Sequence, residues 1–267
     1  MLWRVFAALA LLSSPALAHE ANQEQDIVVV GERLREQVRS FVTEAAQEMS
    51  SEDQMARWER RLCPMLVGMR DREQAEFVVD RIAQRAYAVG IDSGGPNCRP
   101  NALIFVTSDS EALARAIAEQ YRELIGYHAN ATAVTMGHEA LTAFVETPRP
   151  VRWWHVSQTV TEDGQVLGDS LTRPSGNGFA DVQVVRLGGR ASRLERTTRQ
   201  DFSRVVVIVD ADDAAGAQLA QLGDYLAMVT LAQLSPDTEV LAAPSILDLF
   251  DAADAGRLLQ PPADEHG

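Results

Sequence analysis

The sequence predicts an α+β fold, with a helix-rich N-terminal half and a mixed β-sheet with a hairpin in the C-terminal half. Three observations carry this. Segments 71–90 and 108–125 repeat apolar residues at helical spacing behind capping residues. Residues 151–160 alternate in the strand period and run into Glu162-Asp163-Gly164, a hairpin turn. Residues 205–209 are five consecutive aliphatics, the pattern of a strand buried on both faces.

In chain order, residues 1–18 read as a secretory leader. Arg4 supplies its charge, residues 5–12 its apolar run and Ala16-Leu17-Ala18 its small-residue cleavage site. That run falls well short of the roughly 20 residues that span a bilayer, so no membrane span is expected after cleavage at Ala18. Residues 19–31 form a flexible segment, and 32–258 a single α+β domain with a sub-boundary near 148–150. Residues 259–267 are a disordered, Pro-containing tail. Within the domain, residues 32–61 look helical and charged. Asp71 and Gln74 have capping-box spacing and open a helix to about Gly90, with Phe77, Val78, Ile82 and Ala86 on one face. Ser93-Gly94-Gly95-Pro96-Asn97 is a turn, and 101–107 a buried strand. Ser108 and Glu111 form a second capping box. The helix behind it buries Ala112, Leu113, Ala116, Ile117, Tyr121, Leu124 and Ile125.

After Pro148-Arg149-Pro150 the pattern turns to strands. They cover 151–160, a return arm at 165–171, then 181–187 and 204–209. A helix over about 213–234 turns Leu219, Leu222, Leu226 and Val229 inward, and 244–250 is a short last helix.

Composition excludes several functions. All 24 basic residues are arginine and 38 residues are acidic, for a net charge of −14. Such a balance disfavours nucleic-acid binding and adhesion to anionic membrane. Without lysine there is no Schiff-base chemistry, no Ser-Lys hydrolase and no Gly-Lys-Ser/Thr phosphate loop. The absence also points to a GC-rich genome. The two cysteines, Cys63 and Cys98, are expected to pair in an oxidising compartment. Closing that loop stabilises by roughly 3–4 kcal/mol in the chain-entropy model.

Several short motifs invite catalytic readings. Gly168-Asp169-Ser170-Leu171 resembles the nucleophile block of the GDSL hydrolases, which would make Ser170 the nucleophile. The chain departs from that family in placing the serine on a hairpin arm and in lacking a downstream Gly-x-Asn-Asp block. His138-Glu139-Ala140-Leu141-Thr142 is half of a zinc-peptidase HExxH, with Thr142 where the second histidine would stand. The strand at 204–209, the helix after it and Pro244-Ser245-Ile246-Leu247 resemble a metzincin-like scaffold. No histidine between 156 and 265 is there to ligate zinc. Asp210, Asp212 and Asp213 suit the N-terminus of the helix expected to follow. No metal or cofactor is expected.

Two features read as ligand-facing. Strand alternation puts Trp153, His155, Ser157 and Thr159 on one face, an aromatic and a histidine among hydroxyls. Arg190, Arg193, Arg196 and Arg199, spaced three apart, form a positive strip for an anionic envelope polymer or an envelope protein. Residues 26–33, Asp-Ile-Val-Val-Val-Gly-Glu-Arg, resemble the start of the plug in TonB-dependent receptors. With the leader and the cysteine pair, they make the chain resemble the uncharacterised exported proteins of GC-rich Gram-negative bacteria. The reading is a soluble periplasmic or secreted binding or envelope-accessory module without catalysis. The alternative is a hydrolase assembled from Ser170 or His138 with His155 and Asp210.

Overall fold

The computed structural model describes residues 36, 38–40, 54–127, 133–161, 163–166, 198–234 and 245–250. The chain divides into two compact units, Met1–Thr43 and Glu44–Gly267. In the first, Glu36 and residues 38–40 are helical. The second is α+β, built on a five-stranded mixed sheet of order β1-β2-β5-β4-β3. Its strands are β1 (Pro64–Val67), β2 (Ala102–Thr107), β3 (Ala133–Thr135), β4 (Val151–Thr161) and β5 (Thr198–Asp210). Helices α1 (Arg72–Ala88), α2 (Ser110–Gln120), α3 (Gly137–Glu146) and α4 (Leu219–Leu231) interleave with them. Two 3-10 turns, Arg122–Ile125 and Ile246–Asp248, complete the described elements.

β1, β2 and β5 run parallel, with Pro64 opposite Ala102 and Ala102 opposite Val205. β4 pairs antiparallel with β5 from Val151/Val209 to Thr161/Thr198, through an irregularity at Val156/Ser157. The sheet thus draws strands from both sides of residues 148–150. Its centre is β5, where residues 205–209 are all at most 1% exposed, as five aliphatics in a row require. Trp154, Val156, Val206 and Ile208 meet Ile117 and Phe144 of α2 and α3 on one face. On the other, Trp153 and His155 donate to the carbonyls of Leu234 and Val229, in and just beyond α4.

Several local expectations shift. Residues 54–61 are not helical, because β2 covers only Val205 to Asp210 and leaves the start of β5 unpaired on that side. Residue Arg57 fills the place: its N–H donates to Gln200 O (3.2 Å) and its carbonyl accepts from Phe202 N (2.9 Å). Asp71 caps α1 as read, accepting from Glu73 N and Gln74 N, and Val78, Ile82 and Ala86 are buried. Phe77 points outward at 46% exposure. Asp109, not Ser108, caps α2 through Ala112 N. Ile117 and Ile125 are buried as expected, together with Ser110 and Ala114, while Ala112 and Tyr121 at the edges of the stripe are exposed. Helix α4 begins at Leu219 rather than 213.

The hairpin turn forms, with Gly164 N donating to Thr161 O and Thr161 N to Gln165 O, both 2.9 Å. A single bridge, Val160 to Val166, starts the return arm. The remainder of that arm, the 181–187 strand, the leader and the tail lie outside the described residues. Cys63 and Cys98 form the expected disulfide, with Cα atoms 6.0 Å apart, consistent with an exported protein. Among the described residues no helix is long and apolar enough to cross a membrane.

Candidate functional site

β1 and β2 start at the same end of the sheet, where β2 first meets β5 at Val205, and guanidinium groups gather there. Arg60 and Arg61 precede β1, Arg99 precedes β2, and Arg204 sits beside Val205, which pairs with the first residue of β2. Together with the disulfide they line a cleft of about 530 Å³.

Its walls are held by local bonds. Leu62 N donates to Asp92 O (2.8 Å) and Gly94 N to Leu62 O (2.7 Å), tying the 93–97 turn to the segment before β1. The Asn101 side chain clamps that segment again. Its Oδ1 accepts from Cys63 N (2.7 Å) and its Nδ2 donates to Arg61 O (3.0 Å). Gly94 is needed where it stands: a Cβ there would lie 2.6 Å from Cys98 Sγ. Val205 N donates to Asn101 O (2.9 Å), bringing Arg204 to the floor of the same cleft.

No carboxylate is among the described lining residues. Arg81, Arg85 and Arg199 elsewhere pair with Asp224 or Asp201. Arg60, Arg61, Arg99 and Arg204 form no ion pair among the described residues. Arg60, Arg61 and Arg99 are exposed; Arg204 is half-buried and donates from Nη1 to Glu123 O (3.0 Å). Burial, and then the charge of Arg99, pull the Arg204 pKa below the ordinary guanidinium value, with Glu123 partly offsetting them. Arginine remains charged at any physiological pH. The arrangement concentrates unneutralised positive charge in an otherwise acidic chain, and guanidinium forks match oxyanions.

The residues singled out from sequence are placed differently. Trp153, His155 and Ser157 do share a face, as alternation requires, but α4 and the 56–58 segment cover it. They are 6%, 0% and 0% exposed. Ser157 Oγ donates to Gln200 Oε1 (3.2 Å), and Gln200 Nε2 to Thr159 Oγ1 (2.8 Å), a closed polar seam in place of an open ligand surface. Asp210 does not cap α4. Its Oδ1 accepts from Asp212 N and Asp213 N, and its Oδ2 from Ser110 N at the start of α2. Burial pushes its pKa up, but the hydrogen bonds from Ser110, Asp213 and Asp212 outweigh it and hold the carboxyl below its ordinary value.

His138 and Glu139 are exposed on the first turn of α3, where Thr142 Oγ1 donates to His138 O. Among the described residues no cluster of three metal-ligating side chains forms. Among the described residues, His138, His155 and Asp210 are not brought together. His155 stands opposite Val205, five residues short of Asp210 on β5, which is about 17 Å by strand rise. His138 belongs to the helix layer on the opposite face. Ser170, Arg190, Arg193 and Arg196 lie outside the described residues. Arg199, the last of the arginine strip, bonds to Asp201 (2.9 Å) and approaches Glu59 (3.8 Å).

The cleft arginines were not singled out by sequence reasoning, although a signal existed. Arg61 stands two residues before Cys63 and Arg99 directly after Cys98, so pairing the cysteines gathers the arginines. No known protein family, no curated protein and no solved structure matches this chain.

Proposed function

We propose that the protein is a soluble periplasmic or secreted binding module, an accessory of the cell envelope without catalysis, and that its ligand is anionic and seats in the arginine cleft. The observation that carries this reading is the lining itself: Arg60, Arg61, Arg99 and Arg204 around a recess of about 530 Å³ with no described carboxylate. That size is typical of small-ligand sites, about 300–1,000 Å³. Like charges gathered without counter-charges oppose folding, and an anion that neutralises them binds the native state alone. Export with removal of residues 1–18 is part of the proposal and is supported by the Cys63–Cys98 disulfide.

The test is calorimetric titration with inorganic pyrophosphate at about 10 mM ionic strength, where screening extends only beyond ~30 Å. Saturable binding of one ion per chain is expected, with a rise in melting temperature. At 100 times Kd the ligand adds about 2.7 kcal/mol of stability. The double substitution Arg99→Ala/Arg204→Ala weakens binding at least about tenfold, with the far-UV circular dichroism unchanged. No saturable binding, or equal binding to the double variant, refutes the reading.

A further inference from the structure

We infer that the ligand of this cleft is a compact oligoanion with at least two anionic groups, selected by its charge number. The inference rests on the cleft being a binding site and adds the class of molecule it takes.

The guanidinium groups arrive on separate pieces of chain. Arg60 and Arg61 come from the segment before β1, Arg99 from the residue directly after Cys98, and Arg204 from β5. One monoanion carries too little charge to neutralise groups on all three, and negative charge between Arg99 and Arg204 relieves a repulsion that Glu123 offsets only in part. The other polar side chains of the cleft are already committed. Both ends of the Asn101 amide are bonded to Cys63 N and Arg61 O, and Ser203 Oγ donates to Val156 O. Recognition therefore falls to the arginines, which read charge and oxyanion geometry rather than the outline of a polar head.

Compactness follows from what surrounds the cleft. Glu59 is the chain neighbour of Arg60, and Glu123 stands beside Arg204. The chain as a whole carries −14. A long polyanion leaving the cleft meets this negative field, whereas a short one stays within the positive recess.

The experiment titrates the full chain with phosphate, pyrophosphate, tripolyphosphate and long-chain polyphosphate at about 10 mM ionic strength. Citrate and acetate form a second, carboxylate pair. The expected result is an affinity at least about tenfold higher for tripolyphosphate than for phosphate, a parallel gain for citrate over acetate, and no further gain for the long chain. Arg60→Ala/Arg61→Ala, which changes two exposed side chains, should bring the tripolyphosphate-to-phosphate ratio toward unity while phosphate still binds. Equal affinities for phosphate and tripolyphosphate, with binding still lost in Arg99→Ala/Arg204→Ala, overturn the oligoanion inference and leave the site standing. Much tighter binding of the long chain, several proteins to a strand, replaces it with a polymer ligand. Failure of every anion to bind removes the cleft reading itself.

Discussion

His155 is the residue with the most unusual environment. It is fully buried against Phe202, ring centroids 5.1 Å apart, and Nε2 lies 2.9 Å from Val229 O. The carbonyl can only accept, so Nε2 carries the proton in the neutral ring. Nδ1 has no partner among the described residues. Burial lowers its pKa from 6.5 to about 4, against a smaller opposing effect of the Val229 bond. Above pH 6.5 both folded and unfolded chains hold a neutral ring, and the group costs nothing. As pH falls below 6.5 the unfolded chain takes up the proton first, and stability drops by about 1.4 kcal/mol per unit until the folded pKa is reached. The total is about 3 kcal/mol. Urea unfolding at pH 7.5 and pH 4 should show the wild type losing that much more than His155→Gln. Identical losses would mean the imidazole is not held neutral. Alternation placed this residue correctly beside Trp153; what covers it comes from about 75 residues further along the chain, beyond the reach of any local pattern.

The pairing of α1 with α4 decides how that side of the sheet is closed. Gly223 permits it: a Cβ there would meet Arg81 Cγ at 2.8 Å and Cβ at 2.9 Å. The next residue, Asp224, takes two bonds each from Arg81 and Arg85, at 2.6–2.8 Å. Those bonds, first from Arg85 and then from Arg81, hold its carboxyl well below the usual carboxylate range. Its stabilisation is therefore present at neutral pH and is lost only as pH falls below the ordinary aspartate value, a lower window than that of His155. Gly223→Ala should cost about 1–3 kcal/mol by forcing the helices apart. Asp224→Asn should cost a similar ~1–3 kcal/mol by removing the charge from those bonds. Chemical denaturation at pH 7 measures both, and because the positions adjoin, the double variant is expected to be non-additive. The α1 period predicted Val78, Ile82 and Ala86 inward, while the slip at Phe77 shows that a stripe's edge depends on the partner helix.

At the scale of the whole molecule, the disulfide and the strand order work on the same corner. The bond closes a separation of 35 residues, for which the chain-entropy model assigns about 4 kcal/mol. It also holds the loop bearing Arg99 against the segment bearing Arg60 and Arg61. Cys63→Ser/Cys98→Ser should lose about 3–4 kcal/mol in denaturant unfolding and, while still folded, bind pyrophosphate more weakly. Full affinity in that variant would show that the Leu62–Asp92 and Gly94–Leu62 backbone bonds and the Asn101 clamp hold the wall without the disulfide.

By itself the sequence determined the α+β class, the Asp71 cap, the two-face burial of β5 and the pairing of its only two cysteines. These follow from short-range physics: dihedral preference, the 3.6 and 2.0 side-chain periods, and a thiol with one available partner. Only the tertiary structure decided that β5 lies between β2 and β4, that α4 seals the Trp153–His155 face, and that Arg204 joins arginines more than 100 positions away. Strand order and cleft depend on which distant surfaces bury each other best, a choice made by the whole core at once rather than by any stretch of chain.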